Sequence, residues 1–177
     1  MASTLKTEAG AGRPLRLFGC TVLPDWVDYN GHMRDASYGM VFSLATDALM
    51  DHIGLDALGR ARHGGTLYTL ESHVSYLQEL HDGAALEVRT QLIAHDAKRL
   101  HVHHAMWASG MDAPAAIGEQ MLLHVSTRSD GGPRAAAMPE AVIEAVERIA
   151  RSHAQLPLPM HVGRSIGLRR PARPAAP

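Results

Sequence analysis

The sequence predicts an α+β fold: one five-stranded antiparallel sheet wrapped around a long central helix, with a second helix closing the domain. Three observations carry that prediction. Apolar residues recur at spacings of three and four from Tyr38 to Ile53, a run of about five helical turns. Several stretches after it alternate in polarity with the period of two that a strand requires. The connections between those stretches are too short to hold crossover helices, so successive strands are expected to be antiparallel neighbours.

Taken in order, Leu15, Leu17 and then Cys20 to Leu23 form a short β-rich run that Pro24 stops. Asp35 is placed to cap the long helix, whose stripe is Tyr38, Val41, Phe42, Ala45, Leu49 and Ile53, and Gly54 is placed to end it. Small residues along it (Ala36, Ser37, Gly39, Ser43, Ala45, Ala48) suit a helix enclosed on most sides. Residues 66 to 77 read as a strand with Tyr68, Leu70, Val74 and Tyr76 on one face and Thr69, Glu71, His73 and Ser75 on the other. After the turn His81-Asp82-Gly83 a strand follows through Leu86, Val88, Thr90 and Leu92. After His95-Asp96-Ala97 another runs from Leu100 to Ser109, and the last strand spans 115 to 127. Pro139, at the first helical position, opens a helix whose stripe is Val142, Ala145, Val146 and Ile149.

The folded part is expected at residues 14–156, between a flexible N-terminal tail, 1–13, and a flexible basic C-terminal tail, 157–177. The latter includes Arg169 and Arg170.

Composition narrows the function. Among 177 residues, 17 Lys and Arg face 18 Asp and Glu, a formal net charge of -1. Such a chain has no global field for nucleic acid or an anionic membrane, so any polyanion must be gripped by a few local cations. The single Cys20 excludes a disulfide framework and a multi-cysteine zinc site. The absence of an apolar leader or an 18-residue apolar run points to a cytoplasmic protein. Of twelve histidines, His101 and His103 share a strand face next to His104, yet nothing nearby completes a ligand set, so no metal is expected.

Chemistry concentrates in Trp26-Val27-Asp28-Tyr29-Asn30-Gly31-His32-Met33. An acid, an amide and an imidazole fall within five residues, just before a helix start whose unpaired N–H groups receive developing negative charge. That toolkit suits hydrolysis of an acyl derivative. The same residues also read as an ordinary turn, since Asn-Gly is the commonest type I′ pair.

This segment, with Ala36-Ser37-Tyr38, resembles the signature of hot-dog-fold acyl-CoA thioesterases of the 4-hydroxybenzoyl-CoA thioesterase type. Tyr76-Leu77 with Asp82 to Val88 is similar to that family's second-to-third strand hairpin. Trp26 to Met33, Thr66 to Glu71, Asp96 to His101 and Glu119 to His124 are similar to the thioesterase unit of carnitine breakdown, which stands alone or is fused to a dehydrogenase. The resemblance implies hydrolysis of a short acyl-CoA, with betainyl-CoA as the expected substrate. Asp28 would be nucleophile or general base, and the Asp35 backbone N–H the oxyanion donor. Asn30 would hold the nucleophile or the carbonyl, and His32 would polarise water. The Asp35 side chain would sit close to that donor and compete with substrate if it caps the helix.

Glu71 is the second candidate base, with His73 beside it on the same strand face. A quaternary ammonium needs aromatic faces and a carboxylate. Trp26, Tyr29, Tyr38, Tyr68, Tyr76 and Trp107 are the aromatic candidates, with Glu71 or Asp47 as the acid. Lys98 and Arg99, at a turn where the family places basic groups, are the expected contacts to the CoA phosphates. The resemblance further implies a homodimer or homotetramer with sites between subunits, and no cofactor beyond the CoA of the substrate. Two rivals are a hot-dog enoyl-CoA hydratase and a non-catalytic binder of acyl-CoA or quaternary ammonium.

Overall fold

The computed structural model describes residues 3–4, 12–128 and 132–168. The helices are α1 (Asp35–His52), α2 (Ala57–His63) and α3 (Glu140–His153), with a short 3-10 turn at Pro24–Trp26. The strands are β1 (Ser3–Thr4), β2 (Leu15–Thr21), β3 (Gly65–Tyr76), β4 (Ala85–His95), β5 (Arg99–Ala108), β6 (Ala116–Arg128) and β7 (Gly132–Ala135). They form one antiparallel sheet in the order β1-β2-β4-β5-β6-β3, with β7 also paired to β6. Five of these strands are long, as expected, and the two short ones extend the sheet.

The sheet curls around α1. Tyr38, Val41, Phe42, Ala45 and Leu49 of the expected stripe are buried, and Ser37, Thr46, Ala48 and Met50 join them, so the helix is covered on most of its circumference. Opposite it lie Val88, Leu100, Val102, Met106 and Leu122, each at 1% exposure or less. The backbone makes room where it must. A Cβ on Gly118 would stand 2.8 Å from the Phe42 ring, so glycine lets that ring lie flat on β6. Beside Phe42 the His104 imidazole is enclosed, within 3.1 Å of the Thr46 hydroxyl and 2.9 Å of the Thr90 hydroxyl. Burial holds this histidine down to about 3, and it is a core group rather than a metal ligand. Helix α3 packs on β4, and its expected stripe is buried in the same core cluster as that of α1.

Several sequence expectations are corrected. The long helix starts at Asp35 itself, and Arg34 is its cap residue. The strands do not form a four-stranded meander. Of the four long strands after α1, only β4, β5 and β6 are consecutive neighbours, while β3 pairs with β6 at the far edge. The stretch from Tyr76 to Val88 is therefore a crossover and not a hairpin. Its Leu80 is buried, and its Gly83 turn bonds to Val22. The alternation of β3 also breaks. Between Thr69 and Glu71 the pairing with β6 slips by one residue, a bulge at Leu70 that exchanges the two faces. Tyr68, Glu71 and His73 then share the outer face, whereas Val74 and Tyr76 turn inward beside Gly118 and Ala116 of β6.

Helix α2 and strand β7 were not expected. The signals for α2 are local: Asp56 accepts the Gly59 N–H, and Gly64 ends the helix in the left-handed region at φ 62°. Beyond residue 156 the chain stays on the sheet. The Gln91 side chain donates to the Pro157 carbonyl at 3.2 Å, and the Gly163 N–H donates to Glu119 at 2.9 Å. At the other end, Ser3 and Thr4 pair with Gly19 and Phe18 of β2. Arg169 and Arg170 lie outside the described residues. Among the described residues no helix is long and apolar enough to cross a membrane.

Candidate active site

The residues from Val27 to Met33 fold into a tight hairpin closed by a Val27–Met33 bridge. The Asp28 N–H donates to the His32 carbonyl at 2.9 Å, and the Gly31 N–H returns to the Asp28 carbonyl at 3.0 Å. Gly31 sits at φ 81°. This is a three-residue loop, Tyr29-Asn30-Gly31, with glycine in the left-handed position, rather than a two-residue turn centred on Asn-Gly. Turn and chemistry coincide here, because the loop is built around the Asp28 carboxylate. Its Oδ1 accepts the N–H groups of Asn30 at 2.8 Å and His32 at 3.3 Å, while the Asn30 side-chain amide lies 3.5 Å from Oδ2. Desolvation, the largest single influence, pushes the Asp28 pKa up. The two backbone donors, the Asn30 amide and the nearby His32 outweigh it, and the group is held below the usual aspartate value of 3.8. At neutral pH Asp28 is an ionised, half-buried carboxylate with one oxygen tied to the backbone and the other lightly held.

Two anchors fix this hairpin against the helix start. The Arg34 N–H donates to the Trp26 carbonyl at 2.8 Å, and the Met33 N–H to the Leu80 carbonyl at 2.7 Å. As the first helical residue, Asp35 has a backbone N–H with no acceptor inside the helix. Its carboxylate accepts the next N–H, that of Ala36, at 2.8 Å, so the side chain takes one of the donors beside the expected oxyanion position.

Next to the hairpin lies an open cleft of about 330 Å³, lined by His32, Asp35, Tyr38, Tyr76, Gln78 and Glu79 among others. His32 Nε2 is 3.1 Å from Glu79 Oε2. The Tyr38 and Tyr76 rings meet edge to face at 5.3 Å, and the Tyr76 hydroxyl donates to the Asp35 carbonyl at 3.4 Å. His81 Nδ1 lies 2.9 Å from the Gly31 carbonyl, with its ring 5.0 Å from that of His32. Glu79 and His81 escaped the sequence reading because they sit on the crossover link, where no periodicity marks a residue as facing anything. Tyr76 was one of six aromatics with nothing to rank them.

Other expected residues are placed elsewhere. Glu71 and His73 line a second cleft on the outer face of the sheet, together with His101, Glu119 and Gly163, where His101 Nε2 is 2.7 Å from Glu119. The expected aromatic cage does not assemble within one chain. Tyr29 is 96% exposed at the hairpin tip, and Tyr68 is on the outer face. Trp26 packs against the core, and its carbonyl serves Arg34. Trp107 already carries the Arg89 guanidinium 4.2 Å from its ring centre. Asp47 is held above its usual pKa by partial burial and by Asp51. Lys98 and Arg99 occupy the turn from β4 to β5, where the Arg99 guanidinium is 2.6 Å from Asp96. That turn is separated from the start of β4 by an 11-residue strand, roughly 35 Å at the usual rise.

Comparison with known proteins places the chain among thioesterases. Residues 22–146 match the family model described as the thioesterase-like superfamily. The chain is 54% identical over 154 residues to the betainyl-CoA thioesterase of Pseudomonas aeruginosa, covering 87% of this chain and 95% of that one. It is 45% identical to an L-carnitine dehydrogenase/betainyl-CoA thioesterase of Agrobacterium fabrum, covering 88% of this chain but 31% of that longer protein. Among solved structures, a Staphylococcus aureus protein in complex with CoA superposes with a TM-score of 0.77 at 28% identity, covering 85% of this chain and 93% of that one.

Proposed function

The chain belongs to the thioesterase-like superfamily, and from that premise we propose that it hydrolyses betainyl-CoA to glycine betaine and CoA, with Asp28 as the nucleophile. The reaction class is acyl-CoA thioester hydrolysis. The acyl group rests on the P. aeruginosa relative, whose whole length this chain nearly spans. One observation supports the residue assignment: a half-buried, ionised Asp28 sits in a hairpin that the Arg34 N–H to Trp26 carbonyl bond ties to the start of α1.

Asp28 Oδ2, the less restrained oxygen, attacks the thioester carbon. The resulting oxyanion is received by the N–H of Asp35 at the positive end of the helix. The C–S bond breaks, CoA leaves as thiolate without needing a strong acid, and water then cleaves the acyl anhydride on Asp28. A carboxylate held below its usual pKa is ionised at neutral pH, as attack on the thioester requires. Asn30 fixes the loop through its N–H, and His32 stands where water must enter. Rapid quench of a single turnover, read by intact protein mass, tests this. Acyl-enzyme carried on Asp28 is expected, and unmodified enzyme throughout the turnover means general-base chemistry instead.

The working unit in this reading is a homodimer in the cytoplasm. Support comes from β3, a 12-residue edge strand with Tyr68 and Leu70 exposed. Such an edge is a template for pairing with a second chain. Two-fold pairing of the β3 edges runs the strands antiparallel and carries the partner's β4–β5 turn toward the end of the sheet where Asp28 lies. Lys98 and Arg99 would then serve the CoA of the neighbouring subunit. Tetramers of such dimers fit the same surface chemistry.

A further inference from the structure

We propose that Tyr76 and Glu79, with Asp35 behind them, form the subsite that receives the trimethylammonium of the acyl group. The inference rests on the betainyl-CoA reading and names the residues that make it selective.

The cleft that the Asp28 hairpin reaches through His32 and Met33 has an unusual charge for an enzyme of a polyanionic substrate. Its lining holds two carboxylates, Asp35 and Glu79, and no lysine or arginine. CoA phosphates are repelled from such a place, so it is the acyl end that enters. Its volume of about 330 Å³ lies at the small end of ligand cavities and suits a short acyl chain. A quaternary ammonium cannot donate a hydrogen bond. It is held instead by aromatic faces and by uncancelled negative charge.

Both are present. Tyr76 is 53% exposed, and its ring is braced in place by the edge-to-face contact with Tyr38 and by its hydroxyl bond to the Asp35 carbonyl. The bulge at Leu70 is what turns this ring to the helix side of the sheet. Glu79 touches His32 through Oε2, and its side chain remains 70% exposed. Negative potential in the cleft is also read by the tyrosines: burial first, then Glu79 and Tyr76, raise the Tyr38 pKa, and burial and Asp35 raise that of Tyr76. The aromatics elsewhere lack this pairing. Trp107 has its own cation in Arg89, and Tyr29 has no wall around it.

The test compares betainyl-CoA with tert-butylacetyl-CoA, in which carbon replaces the ammonium nitrogen at the same size. The intact enzyme is expected to prefer betainyl-CoA in kcat/KM by about tenfold or more, the size of a desolvated cation-π contact with a neighbouring charge. Glu79→Gln and Tyr76→Leu should each lower that preference severalfold, and Tyr76→Phe should keep it. If Glu79 acts only through His32, Glu79→Gln will slow both esters equally, which overturns the subsite, as does an unchanged preference in both variants. A wild-type enzyme that releases no thiol from betainyl-CoA overturns the function reading itself.

Discussion

The carboxylate of Asp28 accepts the backbone N–H of Asn30 at 2.8 Å, so the proposed nucleophile is also the keystone of its own loop. Two substitutions separate those roles. Asp28→Asn keeps an oxygen for the Asn30 and His32 N–H groups but removes the charge. It should lower thiol release from betainyl-CoA by about 10³-fold with the fold unchanged by circular dichroism. Asp28→Ala removes both, and should add a loss of thermal stability that Asp28→Asn does not show. Activity retained in either variant removes Asp28 from the chemistry.

The pH profile follows from the same bonds. Because backbone donors outweigh desolvation and hold Asp28 below 3.8, its carboxylate stays ionised through the acid range. The limb of kcat/KM that reports Asp28 should appear only as pH falls below 3.8. A half-maximal point near 6 on the acid side would assign the essential ionisation to a group other than Asp28.

Stability should decline on the acid side for a different reason. Burial holds His104 down to about 3 and His103 to about 4. In the unfolded chain these groups protonate near 6.5. Below that pH the unfolded state binds protons that the folded state refuses, so stability is complete above 6.5 and is lost progressively as pH falls toward 3. Each such histidine costs at most about 1.4 kcal/mol per pH unit inside its window. Urea midpoints at pH 7 and pH 5 should differ accordingly, and the difference should shrink in His104→Gln. Equal midpoints would show that His104 takes up its proton in the folded protein.

How much of this was legible depends on whether the cause was local. The stripe of α1, the alternation of Leu100, Val102, His104 and Met106, and the stripe of α3 are periodic and were readable as such. The Asp28 hairpin was readable because acid, amide and imidazole fall within five residues. Strand order was not, since nothing in residues 77–84 says that the chain passes two strands, β6 and β5, instead of turning back. The bulge at Leu70 was hidden because an apolar residue occupies the extra position and the run still alternates. Glu79 reaches His32 only through that crossover, so its place in the site is a tertiary fact. Asp56 and Gly64 carry the signature of α2, a cap and a left-handed stop, but the helix between them is only seven residues long and has no apolar stripe to announce it.

Edge pairing gives the last prediction. Leu70, 57% exposed at the bulge of β3, lies on the one long free edge among the described strands. A lysine there places charge where two chains would meet, which is how natural edge strands avoid association. Leu70→Lys should shift the protein from dimer to monomer in sedimentation velocity while leaving the monomer folded, since the side chain is not in the core. The two consequences are linked. If Lys98 and Arg99 act across the interface, the monomer keeps Asp28 and its cleft but loses the cations for CoA, so KM should rise about tenfold or more. Lys98→Ala in the dimer should then reproduce part of that rise with little change in kcat. A monomeric variant with unaltered KM would place the CoA contacts within a single chain.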